Sequence, residues 1–223
     1  MAAVGVVVPA HNEEALLPDC LDALERAMDR VAVPARTVLV LDACEDGSAA
    51  AAAGRPHLQT LAVAAHNVGR ARAAGFDAVL SWAGATPLDQ LWLATTDADS
   101  MVPEDWLTVQ LELAARGVEA VLGTVRVVDW SERSPAVAQR FVARYQGRDD
   151  HAHVHGANMG MTAAAYLGAG GMPPLALAED RGLALSLAGR RVLHTGRIPV
   201  TTSSRVASRA PGGFASYLDR LSG

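Results

Sequence analysis

Asp97 and Asp99 stand one residue apart in the stretch LWLATTDADSMVPEDWL, residues 91 to 107, just after the apolar run Leu91, Trp92, Leu93 and Ala94. That run reads as a strand buried on both faces, and carboxylates are seldom left beside a core without partners. Two carboxylates at i and i+2, with the small Ala98 between them, suit a divalent cation together with a hydroxylated ligand. Hard cations take oxygen ligands, and Mg²⁺ commonly uses one or two carboxylates plus substrate phosphates. The alternative is a turn that Asp97 or Asp99 caps, with Ser100 helping. A second acidic pair, Glu179 and Asp180, opens EDRGLALSLAGRRV; acids in a first helical turn are favoured by the macrodipole whether or not they do chemistry. His151, His153 and His155 fall at i, i+2 and i+4, which places them on one side of an extended segment. That spacing suits a metal site, a solvated loop face or contacts to a substrate. His194 follows the strand-like RRVLHT as a core or edge histidine or a weaker metal candidate.

Positioning such groups takes a core, and the chain is long enough to build one. It has 223 residues, half of them hydrophobic, which predicts one domain. Net charge is -5, and all 19 basic residues are arginine, in short clusters only. No basic stretch is long enough to track a phosphodiester backbone, so a nucleic-acid partner is not expected. The two cysteines, Cys20 and Cys44, lie in a predicted helix and a predicted loop, away from metal-ligand spacing. They fit a reducing compartment. The N-terminal apolar run lacks a basic flank and is shorter than the roughly 20 residues a bilayer needs. A soluble, cytoplasmic protein without a transmembrane segment is the expectation.

Aliphatic runs alternate with helical patterns. Strands are predicted at 4–9, 37–42, 58–63, 91–95 and within 118–128. Helices are predicted over 13–28, where Leu16, Leu17, Cys20, Leu21, Leu24 and Met28 recur at helical spacing, and over 46–54, 67–84, 103–117 and 179–192. Pro103 marks one start, and Gly54, Gly84 and Gly117 mark ends. Non-alternating strands between helices predict an α/β fold, a largely parallel sheet covered on both faces. Ligands sit at the carboxyl ends of such strands. Residues 9–14, 42–48, 66–72 and 97–99 all fall there. Beyond about residue 128 the regularity fades.

Five segments, VGVVVPAHNEEALLPDCLDAL, VLVLDACEDGSA, TTDADSMVPEDWL, HGANMGM and LAEDRGLALSL, appear in the order seen in family 2 glycosyltransferases, and the chain resembles a compact GT-A-fold member from about residue 4 to 200. The resemblance implies a Rossmann-like sheet whose first part, about 1–128, binds a nucleotide sugar and whose second, about 129–223, binds the acceptor and carries a tail. It implies that Pro9, Ala10, His11, Asn12 and Glu13 cradle base and ribose and that Asp42 reads a uracil-type edge, although Ala43 and Cys44 replace the usual Gly-Ser. In NVGRARAAG, two residues shorter than its counterpart, Arg72 aligns with the family arginine; Arg70 is a rival donor contact and an exposed helix arginine the plainer reading. Asp97 with Ala98 would meet the ribose or sugar, and Asp99, with Asp97 and more weakly His194, would bind Mg²⁺ or Mn²⁺. Asp180 would be the general base, with Glu179 as its substitute. Gly156, Ala157 and Asn158, beside His155, would floor the acceptor pocket.

The tail carries Arg205 and Arg209, which could reach phosphates or line the acceptor side, then a Gly212-Gly213 hinge and the apolar Phe214, Tyr217, Leu218 and Leu221. That apolar set would dock on the domain or on a second chain, making a homodimer. The processive synthases' Gln-x-x-Arg-Trp signature and membrane helices are missing, so the expectation is one sugar moved, with inversion, from a UDP-sugar or other nucleotide-diphosphate sugar to an unidentified hydroxyl acceptor. Two rivals stand beside it. A nucleotidyltransferase would begin with a glycine-rich phosphate loop, which PAHNEEALLP is not; a non-catalytic nucleotide-sugar-binding protein would have no need of Asp180.

Overall fold

In the computed structural model, residues 1–145, 147–206 and 213–221 are described; Arg209, a tail arginine expected near phosphates, and Gly212 of the expected hinge lie outside them. The chain runs β1 (Ala3–Ala10), α1 (Leu17–Met28), β2 (Ala35–Asp42), α2 (Ser48–Ala51), β3 (Leu58–Val63), α3 (Val68–Ala83), β4 (Leu91–Thr95), β5 (Ser100–Met101), α4 (Trp106–Ala115), β6 (Ala120–Arg126), α5 (Pro135–Arg144), β7 (Met159–Thr162), α6 (Ala163–Gly168), α7 (Glu179–Ser186), β8 (Val192–Thr202) and α8 (Phe214–Arg220).

The strands form one sheet in the order β3-β2-β1-β4-β7-β6-β8-β5. β3, β2, β1 and β4 are parallel, as are β6 and β8, while β7 is antiparallel to both of its neighbours. The fold is thus mixed α/β with a mostly parallel sheet. Every residue of β4 is buried, as a strand covered on both faces requires. On one face Val4, Val6 and Val8 pack with Leu17, Leu21 and Leu24 of α1 and Trp106 and Leu107 of α4. On the other, Val7, Val38 and Val40 meet Ala71, Phe76 and Val79 of α3, with Leu183 and Leu187 from α7 and the residue after it. Each such large side chain contributes about 1.5–3 kcal/mol by leaving water.

Sequence punctuation sets several helix limits. Asn67 caps α3 by accepting from the Arg70 amide, and Gly84 and Gly117 take positive φ of 57° and 85° after α3 and α4. Gly5 and Gly75 lie where added side chains would strike Val79 and Val7, so α3 sits close on β1. One expectation changes: α1 starts at Leu17, not at residue 13, which frees Glu13 to leave the helix face. In α7 and just after it, Leu183 and Leu187 are buried, whereas Leu185 is 76% exposed.

Past residue 128 the chain is not irregular: β7 and β8 complete the sheet, with β7 inserted between β4 and β6. The tail helix α8 packs Leu218 and Leu221 on Val137 and Phe141, with Trp130, Tyr145, Phe214 and Tyr217 around them. The apolar set, expected to dock on the domain or on a second chain, packs on this chain's own α5 region. Cys20 and Cys44 are both free thiols.

Candidate active site

The carboxyl ends of β1, β2 and β4 open onto a cavity of 1280 Å³, completed by residues 152–157, the start of α7 and the segment after β8. Of the expected site residues among those described, Asn12, Arg70, His151 and Asn158 do not line it, and the others do. Non-glycine residues at positive φ cluster around it: Asn12 at 55°, Ala43 at 51°, His66 at 45° and Ala178 at 60°. Such backbone is costly and accumulates where a site is held in a set shape.

The loop after β2 is tied by Asp42. Its carboxylate accepts from the amides of Ala65 (2.7 Å), His66 (2.9 Å) and Asn67 (2.9 Å), which fixes the entry to α3. His11 Nδ1 lies 2.7 Å from the Asp42 carbonyl oxygen, joining the first two rim loops. The Glu13 amide donates to Ser48 Oγ at 2.9 Å, turning the Glu13 side chain toward the cavity. Asn12, outside the cavity lining, accepts through Oδ1 from the Glu45 amide at 2.8 Å.

Two arginines organise the acids. Arg72 is buried and pairs through Nη1 with Glu179 and through Nη2 with Asp97, while its Nε donates to Thr95 Oγ1 at 3.3 Å. Arg205 grips Glu13 with both Nη atoms at 2.6 Å, and its Nη2 lies 3.0 Å from Asp99 Oδ2. Burial pushes the Asp97 carboxyl up, opposed by Arg72. Burial and the neighbouring Asp97 push Asp99 up to about 6, opposed by Arg205. Burial also raises Glu179, again opposed by Arg72. Asp180 is less enclosed: its Oδ2 accepts from the Gly156 amide at 2.8 Å and its Oδ1 from the Arg181 amide at 2.7 Å.

Opposite the acids lies an aromatic wall. Tyr145 stacks on His153 at 4.1 Å between centroids, and its hydroxyl lies 2.9 Å from His155 Nε2. Burial, then the neighbouring His153 and His151, bring the His155 imidazole down to about 3. His194 packs against His151 at 5.3 Å, and its Nδ1 has no hydrogen-bond partner among the described residues. No group of three or more His, Cys, Asp or Glu among the described residues is arranged to hold a metal, so Asp97, Asp99 and His194 do not converge as a ready protein cage, nor do the three histidines at 151–155.

Asn158, expected on the acceptor floor, is fully buried. Its Oδ1 accepts from Trp106 Nε1 at 2.8 Å, and its Nδ2 donates to the carbonyls of Thr124 (2.8 Å) and Ile198 (2.7 Å), tying α4, β6 and β8 together. Arg70 is exposed and only its amide is engaged in the cap of α3. Gly156 does make room, but for Arg72: an added Cβ would lie 2.5–2.7 Å from that guanidinium. Sequence reasoning missed Tyr145 and Arg133. Arg133 donates to the carbonyls of Ser204 (2.7 Å) and Arg205 (2.8 Å) and pairs with Asp219, holding the Arg205 segment down. A lone arginine in a polar loop gives no periodic signal.

The model of the family described as Glycosyl transferase family 2 matches residues 5–166. The fold is similar to that of S. aureus TarS 1-349 in complex with UDP-GlcNAc (TM-score 0.67, 14% identity, 95% of this chain and 61% of that one). It is also similar to the mannosyltransferase PcManGT from Pyrobaculum calidifontis in complex with GDP-Man and Mn²⁺ (TM-score 0.58, 23% identity, 86% and 56%). The chain thus spans about three fifths of the TarS chain's length. No curated protein sequence matches it. Among the described residues no helix is long and apolar enough to cross a membrane.

Proposed function

The chain belongs to glycosyl transferase family 2, and from that premise we propose that it moves one hexosyl unit from a nucleotide-diphosphate sugar to a hydroxyl acceptor with inversion. The observation that carries the reading is the gathering of Asp97, Asp99 and Asp180 on one cavity with Glu13 and Arg205. The nucleotide lies against the rim loops at 9–13 and 42, and the diphosphate lies near Asp97, Asp99 and Arg205, whose guanidinium suits phosphate oxygens. A UDP-sugar is the favoured donor, and the two free thiols suit a reducing cytoplasm.

The donor set fits a divalent cation. Glu13, Asp97, Asp99, Glu179 and Asp180 line one cavity, and burial, then the neighbouring Asp97, raises the Asp99 carboxyl. Asp97 and Asp99 would hold Mg²⁺ or Mn²⁺, with phosphates supplying further oxygens. When bound, the cation neutralises charge on the departing diphosphate.

This chain's own residues supply the rest. Asp180 accepts the proton of the acceptor hydroxyl as that oxygen bonds to the anomeric carbon. The bond from that carbon to the phosphate oxygen breaks, and the nucleoside diphosphate leaves. Arg205 offers it a guanidinium. The Gly156 and Arg181 amides hold the Asp180 carboxylate in one orientation. The test is release of nucleoside diphosphate from UDP-GlcNAc or GDP-Man with Mn²⁺, by the wild type and by Asp180→Asn. The expected loss is about 10²–10⁴-fold with donor binding kept, the usual contribution of a general base. Equal release by both proteins would overturn the assignment and favour a module that binds without catalysis.

A further inference from the structure

Two adjacent acids, Glu179 and Asp180, begin α7, yet their surroundings differ. The Glu179 side chain is 6% exposed and its carboxylate is held by the buried Arg72. Asp180 lines the same cavity, is held by two backbone amides and makes no ion pair among the described residues. α7 also starts poorly by its own means. Its N-cap is Ala178, in the left-handed region at φ 60°, with no capping side chain. With an alanine cap, an acceptor for the first turn comes from within it, the Arg181 amide donating to Asp180 Oδ1.

A side chain from outside the helix also holds that turn. Arg72 reaches it from α3 and is itself fixed by Asp97 and Thr95 at the end of β4. The Gly156 backbone passes so close to the guanidinium that a side chain there would displace it, and the same Gly156 donates its amide to Asp180. Glu179 and Asp180 are thus each held by groups that meet at Gly156: the Arg72 guanidinium lies beside its backbone, and its amide holds Asp180.

We propose that Glu179 is a positioning residue rather than a stand-in base: through its ion pair with Arg72 it fixes the first turn of α7 and so aims Asp180 into the cavity. A base must meet the hydroxyl it deprotonates. Glu179 is instead enclosed, and its carboxylate is occupied by the Arg72 guanidinium. Breaking one partner out of such a buried pair is strongly disruptive, whereas a neutral isostere that keeps the hydrogen bond is less so.

The two roles order a pair of variants oppositely. Positioning needs reach and a hydrogen bond, which Glu179→Gln keeps and Glu179→Asp, one methylene shorter, loses. A base needs a carboxylate, which Asp keeps and Gln lacks. The kinetic arm rests on the glycosyl-transfer reading and measures nucleoside diphosphate release from UDP-GlcNAc and GDP-Man with Mn²⁺. The expected result is Glu179→Gln within tenfold of wild type and Glu179→Asp at least tenfold below Glu179→Gln, with nucleotide affinity within threefold of wild type in both. Release by Glu179→Asp exceeding that by Glu179→Gln overturns the proposal.

A second arm needs no substrate. Amide hydrogen exchange on the ligand-free variants should show faster exchange at residues 179–183 and Gly156 in Glu179→Asp than in Glu179→Gln, with β1 and β4 unchanged. Wild-type exchange at those sites in Glu179→Asp overturns the proposal. If the wild type releases no nucleoside diphosphate, the transfer reading fails on its own, and the exchange arm still decides the positioning role.

Discussion

Arg205 and Glu13, 192 residues apart in the chain, form a two-pronged ion pair with both N–O distances at 2.6 Å. The same guanidinium leans on Asp99 at 3.0 Å, so the segment after β8 is clasped to the loop after β1, and all three residues line the cavity. Arg205 is the one positive group held at Asp99 in the ion pairs of the described residues.

From that relationship Arg205→Ala is expected to weaken UDP or GDP binding by roughly tenfold or more, since hydrogen bonds to charged groups contribute about 1.5–3 kcal/mol. Calorimetric titration checks it. Unchanged affinity would mean that Arg205 holds Glu13 and never meets the diphosphate.

Arg133 does not line the cavity, but its guanidinium holds the carbonyls of Ser204 and Arg205. Arg133→Ala is therefore expected to lower nucleotide affinity in the same direction as Arg205→Ala. Because both act through one clasp, the double variant should bind no more weakly than the sum of the two, and detectably better if Arg133 acts only through Arg205. A double-mutant cycle with strictly additive losses would show two separate effects.

Asn158 is the opposite case, a polar residue with a structural task. Asn158→Ala strands the Trp106 indole N–H and two buried carbonyls. The expected cost is about 3 kcal/mol, since each orphaned group costs roughly 1–3. For a chain of this size that lowers the melting temperature by roughly 6–12 °C. Thermal unfolding measures it, and nucleotide affinity of the folded fraction should stay within threefold.

The contrast shows what the sequence could carry. The apolar runs of β1, β2 and β4 were legible because strands buried on both faces leave an uninterrupted signal, and the polar loops at their ends follow from that. β7 was not legible: its MGMT is only four residues long with one β-branched residue, and its place between β4 and β6 comes from pairing with distant residues. β8 is 11 residues long but contains Gly196 and Pro199, which read as breaks. The resemblance named Arg72 and Asn158 as ligand contacts by alignment. Whether an arginine or an amide faces a ligand or the core depends on who else reaches it, and Asp97, Glu179, Trp106 and Ile198 do so only in three dimensions. Glu13 and Arg205 illustrate the same limit, because no local pattern links positions at opposite ends of the chain.

His155 gives a pH dependence with a definite sign. Its folded value, about 3, lies below the ordinary 6.5, chiefly through burial and then through His153, His151 and Arg181. The unfolded chain therefore binds the proton more readily, and stability is fully present above pH 6.5 and falls as the pH drops toward 3. Denaturant unfolding of wild type and His155→Phe between pH 7.5 and 4.5 checks this. The variant should lose less stability on acidification; an identical slope would place the sensitivity elsewhere.

The most direct measurement is calorimetric titration of UDP and of GDP, each with and without Mn²⁺, into wild type and Asp99→Ala. The account expects one nucleotide to bind, tighter by at least tenfold with Mn²⁺ in the wild type, with that gain lost in Asp99→Ala. Failure of both nucleotides to bind the wild type under every condition would contradict a nucleotide-sugar site in this cavity, and Asp97 and Asp99 would then be no more than turn-forming acids neutralised by Arg72 and Arg205.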